Sequence, residues 1–326
     1  MSEVNVCCVG ELLIDMFCTD VDVALKDGEN FKRMAGGAPA NVATAIAKLG
    51  GASSMVGKVG NDAFGTFLIE TLKQYDVDTS FVLRDESLPT TMAFVSLEAD
   101  GERDFQFNRG ADRNLQLEEL PVDGLLHSEV LHFGSATALL DGALKEAYFE
   151  IMRQAKDKKK FVSFDPNYRG HLWKGNEDGF IERSKQAISY ADFVKVSVEE
   201  LEIITTEQDT YKGIDALHQL GAGIVSVTLG KKGSVISNGK KEKLVPSKSV
   251  KSIDSTGAGD AFIGAVLYQF SKRLKGDHGD LHGDFDFLQE AVYFANVVGA
   301  QVCTKVGSLT ALPSLEEVSL SSNFMK

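Results

Sequence analysis

The sequence predicts an α/β fold, a doubly wound and mainly parallel sheet carrying a small β-sheet lid. Three observations carry this. Short apolar runs rich in β-branched residues alternate with helix-patterned segments along nearly the whole chain, as βαβ units do. Most of those runs end in glycine or polar residues, the usual place for ligands in open α/β sheets. Two stretches break the alternation and read as a separate small sheet. At 326 residues and 43% hydrophobic composition the chain can bury a large core, and one domain spanning 1–326 is expected.

The strands are expected at Val4 to Val9, Ser53 to Val59, Val130 to Phe133, Phe161 to Phe164, Phe193 to Val196 and Ile224 to Thr228. Their polar ends, Gly10-Glu11, Gly57-Lys58, Gly134-Ser135, Asp165-Pro166-Asn167, Ser197 and Leu229-Gly230, should share one edge. The lid is assigned to about 12–33 and 89–108, where TTMAFVSLEADGERDFQFN reads as a hairpin turning at Asp100-Gly101. So small a sheet lacks a core of its own and should lean over the ligand edge.

Composition excludes several classes. A net charge of -13 opposes binding to nucleic acid or anionic membranes. No segment has the roughly 18 apolar residues that cross a bilayer, and the first twelve residues lack a secretory pattern, so a cytoplasmic location is expected. Cys7, Cys8, Cys18 and Cys303 form neither a CxxC pair nor a regular spacing, which points to reduced thiols. KGDHGDLHGDFD, residues 275–286, is read as a solvated loop; His278 and His282 have no regular scaffold for a metal.

Two glycine stretches carry the chemistry. No GxxxxGK[ST] occurs, and in DSTGAGDAF, residues 254–262, Phe262 stands where a dinucleotide fingerprint needs its third glycine. Ala261, Phe262, Ala265, Val266, Phe270 and Leu274 follow helical spacing, so TGAGD opens a helix. A helix start with unobstructed N–H groups at Gly257, Ala258 and Gly259 attracts an anion. Asp260 would repel a bound phosphate unless it faces a second substrate's hydroxyl and takes its proton. In MAGGAPANVATAIAKLGG, residues 34–51, Gly36-Gly37 precedes a helix with Val42, Ile46 and Leu49 on one face, and Asn41 falls in its first turn. An amide beside flexible backbone suits a polyhydroxylated ligand.

These stretches together resemble the ribokinase-type (PfkB) carbohydrate kinase family over almost the entire chain. GGAPANVATAIAKLGGASSMVGKVGNDAFG, residues 36–65, resembles its N-terminal signature and DSTGAGDAFIGA, residues 254–265, its C-terminal one. The resemblance implies ATP-dependent phosphorylation of a sugar hydroxyl, with Asp260 as base and Gly257, Ala258 and Gly259 as anion hole. It implies sugar contacts from Asp15, Gly36, Gly37 and Asn41. Nucleotide contacts would come from Lys195, from Thr228, Gly230 and Gly233 of VTLGKKG, and from Asn296. The family's NxxE motif is SVEE here, with Ser197 for asparagine and Glu200 retained to hold Mg2+ through water. A monovalent cation such as K+ would lie against Asp254 and backbone oxygens of Thr256, Lys305 and Gly307. FNRGADRNL and DPNYRGHLW are most similar to the fructokinase branch, which implies Arg109 and Arg169 as substrate contacts, one or the other helping to neutralise phosphate charge. The rival 2-keto-3-deoxygluconate kinase branch would use an arginine to read a carboxylate. A non-catalytic sugar sensor would have lost the base or the anion hole. Pairing of lids into a homodimer is left open by the sequence.

Overall fold

The computed structural model describes residues 5–20, 22–97, 103–274 and 281–321. Strands β1 (Asn5–Val9), β4 (Ala52–Gly60), β5 (Asp78–Asp85), β8 (Val130–Phe133), β9 (Phe161–Phe164), β10 (Phe193–Ser197), β11 (Ile224–Thr228), β12 (Ser234–Ser237) and β13 (Glu242–Val245) make a large sheet. Its order is β13-β12-β11-β10-β9-β8-β1-β4-β5. Neighbours from β5 to β11 are parallel, and β12 and β13 are added antiparallel.

Alternate residues of each parallel strand enter two separate cores, which is why these strands read as continuous apolar runs. Val6, Cys8, Met55, Phe193 and Ile224 pack under helices Ala38–Lys48, Ala258–Leu274 and Phe285–Val302. Cys7, Val9, Val56, Val194 and Val225 pack against helices Ala143–Asp157, Glu177–Ile188 and Thr210–Gln219 on the other face. The fold is therefore doubly wound.

All six expected strands are present within about a residue; Val4 lies outside the described residues. Three were not anticipated. In β5, DTSFVLRD, polar residues at both ends dilute the apolar pattern, and β12 and β13 have only four residues each. The expected strand end at Gly57-Lys58 is corrected: β4 runs on to Gly60, and Lys58 is buried inside it, paired with Glu119 at 2.7 Å and Asp85 at 3.3 Å.

Chain order reverses at β1, which sits between β4 and β8, so the crevice beyond the carboxyl ends of β1 and β8 is the switch point. A second sheet, β3-β2-β6-β7, lies beside that crevice. It comprises β2 (Leu13–Cys18), β3 (Phe31–Gly36), β6 (Met92–Leu97) and β7 (Arg103–Asn108). The β6–β7 pair is antiparallel, as the hairpin reading requires, and its turn at Asp100-Gly101 lies outside the described residues. Strand β3 extends to Gly36, three residues past the expected limit. Within 275–286, residues 275–280 are outside the described set. Asp284 caps helix Phe285–Val302 and pairs with Arg273 at 2.7 Å. Among the described residues no cluster of His, Cys, Asp and Glu is arranged to hold a metal, and no helix is long and apolar enough to cross a membrane. Cys7, Cys8, Cys18 and Cys303 are free thiols.

Candidate active site

The TGAGD stretch forms the entry to helix Ala258–Leu274, as its apolar spacing dictates. Gly257 has φ +76° and lies against Ser308, where a Cβ would approach the serine Cβ to 2.8 Å, so glycine is required on both counts. Asp254 braces the preceding loop. Its carboxylate accepts from Thr256 N at 2.9 Å, Thr256 Oγ1 at 2.6 Å and Gly307 N at 3.0 Å. The helix begins with the positive end of its dipole at this turn, where Ala258 N donates to the Ser255 carbonyl at 3.2 Å.

Two cavities meet at this turn. Gly257 and Asp260 line a cavity of about 160 Å³, and Ala258 and Gly259 line another of about 480 Å³. One helical turn therefore borders both cavities.

The smaller cavity brings together Asp15, Gly37, Asn41, Arg169 and Asp260, five of the residues expected to meet a sugar. Asn41 Nδ2 donates to Asp260 Oδ2 at 2.7 Å, while Asn41 Oδ1 is buried without a partner. Burial pushes the Asp260 carboxyl up to about 6; the Asn41 hydrogen bond and Arg169 moderate the rise, and Asp165 adds to it. Asp15 opens onto the cavity but is otherwise enclosed, and desolvation, reinforced by Glu11 and Asp260 and opposed by Arg169, pushes it up to about 7. Gly36 contributes by lacking a side chain, since a Cβ there would lie 2.1 Å from Asp15 Oδ2. Phe105 and Phe107 of β7 line the same cavity, and Phe105 stacks on His171 with centroids 4.4 Å apart.

The larger cavity collects Thr228, Gly230, Gly233, Gly259 and Asn296, with Lys231 and Lys248 on its wall. Asn296 also holds its surroundings together. It accepts from Ser234 Oγ at 2.9 Å and donates to the Val245 carbonyl at 3.0 Å, tying β12 and β13 to the helix behind them.

Between the cavities Lys195 points from β10 toward Gly259, where a Cβ would sit 3.5 Å from its Nζ. It pairs with Asp165 at 3.1 Å. Burial alone would depress the Lys195 ammonium, yet the Asp165 and Glu200 carboxylates raise it above its ordinary value. Glu200 accepts from Tyr168 N at 2.8 Å and Ser197 N at 2.7 Å. Burial works to raise Glu200 too, but Lys195 and these N–H donors hold it low. Ser197 caps the helix Val198–Thr205 by accepting from Glu200 N at 3.1 Å.

One expected substrate contact stands apart from both cavities. Arg109 lines neither cavity; its Nε meets Asp112 at 3.1 Å, and its other nitrogens donate to the carbonyls of Asp141 at 2.7 Å and Thr137 at 3.0 Å. The RGAD stretch is thus held as a structural joint, and Arg109, expected as a substrate contact, is engaged there instead of lining either cavity. Conversely Glu11, Phe105, His171 and Ser308 line the sugar-side cavity without having been singled out as site residues. The alternation in DFQFN, which puts Phe105 and Phe107 on one face, is the signal that could have found Phe105.

The pfkB family carbohydrate kinase model matches residues 4–315. The chain belongs to that family. As a carbohydrate kinase it is a phosphotransferase acting on a sugar hydroxyl. It is 38% identical over 310 residues, covering 94% of this chain and 93% of the relative, to a probable fructokinase-5 of Arabidopsis thaliana. A fructokinase of Xylella fastidiosa with bound ATP superposes with a TM-score of 0.88 at 35% identity, covering 98% of both chains. A fructokinase of Vibrio cholerae O395 in fructose-, ADP- and calcium-bound form superposes with a TM-score of 0.84 at 33% identity, again covering 98% of each.

Proposed function

We propose that this protein is an ATP-dependent fructokinase that transfers the terminal phosphoryl group of ATP to the terminal hydroxyl of fructose, giving fructose 6-phosphate. The observation that carries the reading is the single turn 257–260, whose Gly257 and Asp260 face one cavity while Ala258 and Gly259 face the other. Asp260 accepts the proton of the attacking hydroxyl, and the amides of Gly257, Ala258 and Gly259 stabilise the charge on the transferring group. Asn41 orients the base, and Asp15, Gly36 and Gly37 hold the other hydroxyls. ATP lies along Thr228, Gly230, Gly233 and Asn296, with its phosphates toward Lys195. The small sheet acts as a lid that excludes water from the reacting oxygen.

The lining of the sugar cavity supports fructose over 2-keto-3-deoxygluconate. Arg169 is its one Arg or Lys among the described residues, and its charge is already drawn to Asp15 and Asp260 before an acceptor's carboxylate could engage it. The names of the relatives agree with this reading. An intact Asp260 and anion hole count against a non-catalytic sensor.

Two buried carboxylates, Asp165 and Glu200, lie beside the Lys195 ammonium, and Asn167 Oδ1 has no partner among the described residues, oxygen donors of the kind that would meet a hydrated magnesium ion. Glu200 would hold the ion through water, and the ion would supply charge neutralisation at the phosphates. A monovalent cation, K+ by preference, would rest on Asp254 and the backbone of Thr256, Lys305 and Gly307. Lid-to-lid pairing into a homodimer and a cytoplasmic location complete the reading.

An ATP-coupled assay with fructose, ribose, 2-keto-3-deoxygluconate and adenosine tests it. Fructose should give the highest kcat/KM. A higher value for 2-keto-3-deoxygluconate would overturn the substrate and reassign Arg169 as a carboxylate reader.

A further inference from the structure

The lid joins the main domain through two roots, and both are fastened to the same short turn. At the first root, where β2 begins and β3 ends, the buried Glu11 carboxylate accepts from Ala38 N at 3.1 Å, from Ala136 N at 3.4 Å and from the Ser135 hydroxyl. At the second, where β6 begins and β7 ends, the Asp112 carboxylate is fully buried. It accepts from the Thr91 hydroxyl, from Thr137 Oγ1 at 2.8 Å and from Arg109 Nε at 3.1 Å. Thr91 Oγ1 in turn accepts from Gly110 N at 2.8 Å, and Ala111 N donates to the Pro89 carbonyl at 2.8 Å, stitching the incoming and outgoing chains of the lid together. The shared turn is Ser135-Ala136-Thr137, just beyond β8. Ser135 Oγ stiffens it by accepting from Thr137 N at 3.2 Å and Ala138 N at 2.8 Å. Ala136, between the two attachment points, lines the sugar cavity.

We propose that Asp112 and Thr137 are positioning residues for the sugar site: together they fix the β6–β7 root of the lid to the turn that forms the cavity wall. The turn then acts as a fulcrum, and the height of the lid over the sugar is set where Ala136 meets it. Neither side chain lines the cavity, so their effect reaches the sugar only through the lid. A buried carboxylate with three donors is costly to leave partly unpaired, which makes the joint stiff. Arg109, whose remaining nitrogens hold Thr137 O and Asp141 O, closes the joint from outside. This inference rests on the sugar-kinase reading for its kinetic consequence, while its structural consequence can be measured without any substrate.

The test is Thr137→Val in the full chain, which keeps the shape and removes one donor to Asp112, with Thr137→Ser as the conservative partner. Hydrogen exchange at 92–96 and 105–108 should quicken several-fold in the valine variant without sugar and return to the parent rate in the serine variant. Fructose KM should rise roughly tenfold, the worth of one hydrogen bond to a charged group. ATP KM and kcat should stay within about twofold. Unchanged exchange in the valine variant, absence of rescue by serine, or a fall in kcat with constant fructose KM each overturns the proposal. Faster exchange in a protein that does not phosphorylate fructose would uphold the joint while the substrate reading fails. Asp112→Asn should exceed the valine change in the same direction; a smaller change would overturn the ranking of Asp112 as the centre of the joint.

Discussion

On the sugar side of the 257–260 turn four charged side chains, Glu11, Asp15, Arg169 and Asp260, converge on about 160 Å³. On the nucleotide side about 480 Å³ is walled mainly by glycine, serine, alanine and backbone, with Lys231 and Lys248 as its charged residues and no carboxylate among the described residues. On the proposed function the difference follows from what each cavity would hold. A neutral polyol is recognised by paired donors and acceptors and must lose a proton, so the site concentrates carboxylates with raised proton affinity. A polyanion is met by N–H groups and ammonium charge, and close backbone approach demands small residues. Side chains on the sugar side should therefore be individually decisive, and those on the nucleotide side replaceable.

The largest expected effect tests that contrast at its centre. Asp260→Asn keeps the hydrogen-bonding shape and removes the base, so kcat should fall by roughly 10² to 10⁴ with ATP affinity unchanged. Stopped-flow turnover and equilibrium ATP binding check both halves. Because burial holds Asp260 near 6, its ionised form accumulates as pH rises through that value, and parent kcat should drop on acidification below it. A kcat within about tenfold of the parent would reduce Asp260 to a cap on the helix.

Asp15→Asn should be intermediate. Loss of a charged acceptor raises fructose KM by roughly 10- to 100-fold. Stability should move the other way. The folded carboxyl titrates at about 7, well above its unfolded value, so the folded state binds the extra proton and loses stability as pH rises through that window. The asparagine variant escapes this penalty. Its Tm advantage over the parent should appear near pH 7.5 and vanish near pH 4, as thermal melts at the two pH values would reveal. A variant less stable than the parent at pH 7.5 would contradict the origin given for the shift.

Thr228→Val should have the smallest effect. Its hydroxyl donates weakly to the Val196 carbonyl at 3.4 Å, and the backbone around it carries most of the wall. ATP KM should rise by roughly two- to tenfold, with fructose KM constant. A collapse of kcat would break the distinction between the two cavities.

The same distinction governs what the sequence reveals. TGAGD, GGAPAN and the parallel strands are legible because each is a local pattern, a helix start or an apolar run bounded by polar residues. The 2.7 Å contact of Asn41 with Asp260 joins residues 219 apart, so no spacing rule reaches it. Arg109 illustrates a different limit. An arginine beside glycine in a loop has the composition of a phosphate contact, and only the fold discloses that Asp112, Thr137 and Asp141 already occupy its donors. Strands β12 and β13 are hidden by brevity, since four residues give no measurable period, and their attachment depends on Asn296 from a distant helix.

Strand β13 has a consequence for how the protein survives at high concentration. It ends the large sheet, and an unpaired strand edge is a template on which another chain can add. Glu242 and Lys243 are exposed along it, and Lys240 and Lys241 stand exposed just before it, so each incoming strand would have to bury charge. The short hairpin between Gly233 and Ser247, two residues of the larger cavity's wall, thus acts as a guard against edge-to-edge aggregation, and a protein with these four positions neutralised should precipitate at concentrations where the parent stays in solution.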